Sequence, residues 1–165
     1  MAEAGAAEKN LLRAWMGLGA LALALSGVMA VLLAASRLPG IQDALPWPLA
    51  FFERGLVAHV VFSFVAWFLV AFGVLLTLAA PARTNFLDRL APALAAVSFG
   101  LLLIPSLSSR GEPTLNNYIP AITDPLYYAG LAVLAAAVLL AFARFLMRLD
   151  ARAWRTPVPL ALAAG

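Results

Sequence analysis

The chain has 165 residues, of which 64% are hydrophobic and only 12% are charged, and its formal net charge at pH 7 is +3. A soluble domain carries about 25% charged residues, so this composition excludes water as the main solvent and indicates a membrane protein. The small basic excess is too scattered for a nucleic-acid-binding surface, and the chain has no cysteine for disulfides, thiolate metal sites or nucleophilic catalysis.

The first predicted helix covers residues 11–36, where Arg13 is the only charged residue. Lys9 and Arg13 before an apolar run also match the start of a cleaved signal peptide, but the run is longer than the roughly 7–15-residue core of such peptides. About 20 apolar residues are needed to cross the roughly 30 Å of bilayer hydrocarbon. We therefore interpret this run as a membrane-spanning helix.

The second and third predicted helices are the next two apolar runs, residues 56–80 and 87–107. The second helix can begin earlier, because Pro48 suits a first helical position. Asn85 and Asp88 are candidate caps at the start of the third helix. Each run is long enough to span a bilayer.

The fourth predicted helix covers residues 126–148 and follows the longest polar segment, residues 108–124. Asp124 and Pro125 fit its N-cap and first helical position. Residues 149–165 form a basic tail or the start of a further, truncated segment, because their end turns apolar again. The arginines of helix four and the tail recur every three or four residues, which predicts that they contact anionic lipid headgroups.

The predicted fold is an all-α integral membrane protein, an antiparallel four-helix transmembrane bundle formed by residues 1–148. Lysine and arginine in short flanking segments mark the cytoplasmic side of such a protein. One side has Lys9, Arg13, Arg83, Arg89, Arg144, Arg148, Arg152 and Arg155, and the other has Arg37, Arg54 and Arg110. We therefore expect a multi-pass protein of a bacterial-type inner membrane with both termini in the cytoplasm.

The only histidine, His59, lies in the second predicted helix near its outer end. An ionisable side chain at membrane depth needs hydrogen-bond partners, so it marks a candidate functional site. The positions three and four residues apart on its face are nearly all small: Gly55, Ser63, Ala66, Val70 and Gly73. Two interpretations follow. Either a neighbouring helix approaches closely and His59 hydrogen-bonds to it, or the face accepts a porphyrin whose iron binds an imidazole nitrogen.

Two segments carry a family resemblance. Residues 55–69, GLVAHVVFSFVAWFL, resemble the second helix of subunit I of the haem-copper (cytochrome c) oxidases, whose histidine is an axial ligand of the low-spin haem. Residues 117–130, NYIPAITDPLYYAG, resemble the linker into helix four of a divergent branch of these subunits. The resemblance covers almost all of this chain but only the first four helices of a longer subunit.

The resemblance implies that His59 is an axial ligand of a low-spin haem of b or a type in respiratory electron transfer. Arg54 near the outer interface then either pairs with a haem propionate or extends to the headgroups. The second axial histidine and the ligands of the active-site haem and copper lie on later helices in the family. This chain alone is therefore not a complete oxidoreductase, and other oxidase subunits or the remaining subunit I helices are its expected partners. Within the chain, Met29 is the one candidate second ligand.

Two other classes of function stay open. A cofactor-free interaction or assembly subunit of a respiratory complex would keep these helices without haem. A small transporter needs polar residues facing each other at mid-membrane. The spans offer only Ser26, Ser63, Thr77 and Ser98. Because the acidic residues are expected only near the helix ends, no buried carboxylate is predicted for a proton relay.

Overall fold

Four long helices dominate the structure and confirm the predicted all-α membrane bundle. The computed structural model describes residues 2–41, 49–80, 86–108, 110–115 and 120–148. All four helices are long and apolar enough to cross a membrane. The predicted tail of residues 149–165 lies outside the described residues, as do Pro48 and Asn85.

The helices, numbered α1 to α4, agree closely with the apolar runs. They are α1, Ala2–Ala35; α2, which has consecutive parts Leu49–Val60, Val61–Ala66 and Trp67–Ala79; α3, Phe86–Leu107; and α4, Pro125–Arg148. The middle part of α2 is π-helical. Helix α1 begins well before residue 11, because the alanines, Glu8 and Lys9 that precede the apolar run are themselves strong helix formers.

Contacts between opposite helix ends establish the antiparallel arrangement. Ser26, late in α1, bonds His59, early in α2, and Asp88 at the start of α3 bonds Arg148 at the end of α4. We call the end of the bundle with Asp88 and Arg148 the basic end. The opposite end, the loop end, has the segment between α3 and α4, where Pro113–Thr114 (β1) and Ala121–Ile122 (β2) form a two-stranded antiparallel sheet.

Helices α1 and α2 meet along one continuous seam. From the loop end to the basic end, Leu33 faces Gly55, Ser26 faces His59, Gly19 faces Val70 and Trp15 faces Gly73. A Cβ atom added at Gly73 would lie 2.7 Å from Cδ2 of the Trp15 ring. The indole therefore occupies the space that a side chain at Gly73 would fill, and backbone and ring touch directly.

A buried ionic cluster joins three helices at the basic end. Asp88 accepts from Arg148 at 2.9 Å and from Arg144 at 3.4 Å, and Arg144 also donates to the carbonyl oxygen of Leu76 in α2 at 3.2 Å. Arg144 is only 2% exposed. The prediction that Arg144 contacts lipid headgroups is therefore wrong, because helix packing places its guanidinium against a carboxylate and a helix-terminal carbonyl.

Asp88 also has contacts beyond the helix start at which it is a candidate cap. It lies in the first turn of α3, but its carboxylate bonds the α4 arginines. The expectation that carboxylates stay unburied is wrong for this residue, which is 5% exposed. Because two guanidinium groups surround it, Asp88 serves as a structural counter-ion, and the arrangement does not resemble a proton relay.

Asp124 caps α4 as the sequence predicted. Its Oδ1 accepts from the N–H of Leu126 at 2.8 Å, and its Oδ2 accepts from Nε of Arg110 at 3.1 Å. Burial raises the pKa of this carboxyl, but the Leu126 N–H and the Arg110 guanidinium outweigh it and hold the pKa below its usual value. Asp124 is therefore a carboxylate at neutral pH, and it fixes the start of α4 to the loop.

Candidate functional site

His59 is half-buried and faces Ser26 across the α1–α2 seam. Its Nδ1 lies 3.0 Å from the carbonyl oxygen of Ser26 and 2.9 Å from its Oγ. The Ser26 hydroxyl lies 3.1 Å from the carbonyl oxygen of His59, to which it can donate. The two residues therefore bond each other through both side chain and backbone.

These contacts assign the tautomer of His59. A carbonyl oxygen only accepts, so the bond to the Ser26 carbonyl requires a proton on Nδ1. With the Ser26 hydroxyl donating to the His59 carbonyl, its oxygen also accepts from Nδ1–H. Neutral His59 then has an unprotonated Nε2, for which the described residues provide no hydrogen-bond partner.

The helix changes geometry immediately after His59. Residues Val61–Ala66 form a π-helical segment, while Leu49–Val60 before it and Trp67–Ala79 after it are α-helical. A π-helical turn has i→i+5 hydrogen bonds, is rare, and is frequently found at functional sites. Its position next to the one histidine of the chain supports the assignment of this part of α2 as a candidate functional site.

The small-residue face of α2 packs against α1. Leu33 lies 3.2 Å from a Cβ placed at Gly55, and Trp15 occupies the corresponding space at Gly73. The interpretation of these glycines as sites of close helix approach is therefore confirmed. Because α1 packs directly on this face and Ser26 bonds His59 across it, the small-residue face does not itself accept a porphyrin. Binding of a haem through the other ring nitrogen of His59 stays a prediction.

Arg54 has clear partners in the structure. It is 9% exposed, and its two terminal nitrogens donate to the carbonyl oxygens of Arg110 and Gly111 in the loop after α3. The simple extension of Arg54 to the headgroups is therefore wrong, because the loop end folds over its guanidinium. Pairing with a haem propionate stays a prediction.

Met29 lies close in sequence to the His59 partner. It is one turn beyond Ser26 on α1 and is 4% exposed, so it belongs to the packed interior near the loop end. A buried methionine in such a place fills core space whether or not it binds metal. Its role as an iron ligand therefore stays a prediction.

We expect Arg54→Met to loosen the loop end. The methionine fills similar apolar space but leaves two carbonyl oxygens without charged donors, which costs about 2–3 kcal/mol. Thermal unfolding of the detergent-solubilised protein, with trypsin cleavage at Arg110 as a second measurement, checks this. As a control for the thermal measurement only, since it also removes the trypsin site, Arg110→Met deletes a side chain that is 60% exposed and should have the smaller effect on the melting temperature. Equal melting temperatures for Arg54→Met and the parent protein would contradict this role of Arg54.

Sequence reasoning found His59 but missed its partner and its setting. Ser26 was visible as a polar residue inside an apolar run, yet only the register between α1 and α2 pairs it with His59. The π-helical segment has no signal in its residue types, VFSFVA. The one sequence signal for the Asp88–Arg144 pair is the opposite charges at the start of α3 and the end of α4, which lie at the same end of an antiparallel bundle.

Comparison with known proteins identifies a similar segment in a longer protein. No family model matches the chain, and no solved structure matches it. A protein of Aquifex aeolicus strain VF5, described only as uncharacterized, is 31% identical over 132 residues, which are 80% of this chain and 33% of that protein. The chain thus spans about a third of the length of this relative, whose description names no function.

Proposed function

We propose that this chain is the amino-terminal helical part of a haem-binding membrane subunit, similar to subunit I of the haem-copper oxidases, with Nε2 of His59 as an axial ligand of a low-spin haem. One observation carries the proposal. The Ser26 carbonyl and hydroxyl hold Nδ1 of His59, and no described residue uses Nε2.

This pattern is the one expected of a metal-binding imidazole. A histidine ligand almost always donates its second ring N–H to a carbonyl, carboxylate or water, which fixes the tautomer and raises the basicity of the coordinating nitrogen. The Ser26 carbonyl is in position to do this for His59. His59 is half-buried, so the described residues do not fully enclose it, and the adjacent π-helical segment fits a functional site.

The proposal requires a second iron ligand in addition to His59. A low-spin haem needs a second axial ligand, which Met29 or a residue outside this chain would have to supply. The segment similar to this chain is about a third of the relative from Aquifex aeolicus, so that protein has residues beyond it. When bound, the haem would supply one-electron transfer. His59 would hold the iron, and Ser26 would orient the imidazole ring of His59.

A visible absorption spectrum of the reduced protein tests the proposal. The protein is purified from haem-replete membranes together with its natural partners. We expect a low-spin haem band that His59→Ala abolishes. Ser26→Ala should retain haem with roughly 10–100-fold weaker affinity, because it removes only the hydroxyl that supports the ring.

Ser98→Ala is the matched control for Ser26→Ala. Ser98 is also a buried serine in a spanning helix, but its hydroxyl bonds only the Ala95 carbonyl of its own helix, at 2.7 Å. It should leave the spectrum unchanged. A preparation with its partners but without haem would overturn the proposal and favour the cofactor-free interaction subunit. A low-spin band that persists in His59→Ala would overturn the assignment of the ligand.

A further inference from the structure

A cleft lies between α1 and α3 at the basic end of the bundle. Its volume is about 930 Å³, within the range of small-molecule sites. Small side chains line much of its wall: Ala14, Gly17, Ala93 and Ala96. All four residues are exposed in the described structure, so the cleft opens to its surroundings.

Two basic side chains lie beside this cleft, one about three turns into α1 and the other in the first turn of α3. Arg13 of α1 and Arg89 of α3 both contribute to its lining, and both are exposed. Asp88 is the acidic residue of the lining, but its carboxylate already binds Arg144 and Arg148. The cleft therefore combines an apolar wall at membrane depth with two cations at the expected level of the headgroups.

We propose that this cleft binds an anionic phospholipid, with the phosphate between Arg13 and Arg89 and one acyl chain along the small-residue wall. The two chemistries of the cleft match the two parts of such a lipid. Basic pockets between membrane helices on this side of a bilayer attract anionic headgroups, and each arginine near the surface strengthens the attraction. Guanidinium groups also bind phosphate oxygens with well-directed hydrogen bonds.

Charge favours a lipid over a further helix as the occupant. An apolar helix packed into the cleft would bury Arg13 and Arg89 without counter-ions, which is costly. A phospholipid brings the negative charge with it and leaves the arginines at the wet boundary, where their long stems can reach it. The acyl chain meanwhile fills the cleft and covers its apolar wall.

Native mass spectrometry of the detergent-purified full chain tests this proposal. Phosphatidylglycerol and phosphatidylcholine with identical acyl chains are added in turn. We expect tighter retention of phosphatidylglycerol. Arg13→Gln and Arg89→Gln should each weaken this retention about fivefold, as expected for one basic residue at an anionic surface. Arg37→Gln, which removes an exposed arginine at the other end of α1, should not change it.

A steric variant tests the apolar wall separately. A Cβ at Gly17 meets no atom within 4 Å, so a larger side chain there begins in open space, and we expect Gly17→Leu to fill part of the cleft. It should reduce phosphatidylglycerol retention at least as strongly as the arginine variants. Gly27→Leu, also in α1 and equally open, is the matched control. Equal retention of both lipids, or unchanged retention in Gly17→Leu, would overturn the proposal, and the cleft would then be assigned to a neighbouring protein segment.

Discussion

Asp88→Ala is expected to cost about 3–5 kcal/mol of folding stability. The substitution removes the carboxylate from a site where Arg144 is 2% exposed and where Asp88 itself is 5% exposed. The Arg144 guanidinium would keep only its bond to the Leu76 carbonyl, at 3.2 Å, and would be a buried charge without a counter-ion. Loss of thermal stability in detergent, or of resistance to unfolding by sodium dodecyl sulfate, measures this cost.

A double variant separates the ionic pair from general damage at this position. Replacing both partners with apolar residues removes the uncompensated charge, so Asp88→Leu combined with Arg144→Leu should be more stable than either single variant. Glu53→Ala, which removes an exposed carboxylate at the loop end, should have little effect. If Asp88→Ala melts at the temperature of the parent protein, the buried cluster does not hold α3 and α4 together.

The helices were predictable because hydropathy and length depend only on local sequence. Each apolar run of about 20 residues can satisfy its backbone bonds within one helix, so its neighbours need not be known. Side-chain partners depend instead on how helices are set against each other. The position of Arg144 shows the difference. The spacing of the arginines along α4 indicates that they share one helix face. It does not indicate that this face meets Asp88 of α3.

The candidate site divides in the same way. His59 could be selected from sequence, because an intramembrane histidine is costly wherever the neighbouring helices lie. Its tautomer could not, because it depends on the Ser26 carbonyl, 33 positions away in the chain. The role of Arg54 also depends on a distant segment, the loop carbonyls of Arg110 and Gly111. The sequence thus identifies the candidate residue, and the packing of the helices determines its hydrogen-bond partners.

The α1–α2 seam that positions His59 should fail when Gly73 is enlarged. In Gly73→Ala the new methyl group would lie 2.7–2.9 Å from three atoms of the Trp15 ring, which is 1% exposed. Overpacking of this kind costs about 1–3 kcal/mol, and Gly73→Leu should cost more. We expect a lower melting temperature and, if haem binds as proposed, weaker retention, since Ser26 lies on the same face of α1.

Gly100→Ala provides a control with the opposite sign. Gly100 is inside α3, and a Cβ there meets no atom within 4 Å, so alanine should stabilise the helix by up to about 1 kcal/mol through its higher propensity. Trp15→Leu should partly rescue Gly73→Ala, because the smaller side chain vacates the space that the methyl group needs. Strictly additive effects of these two substitutions would show that ring and glycine do not touch. The register that brings Ser26 to His59 would then lose its support.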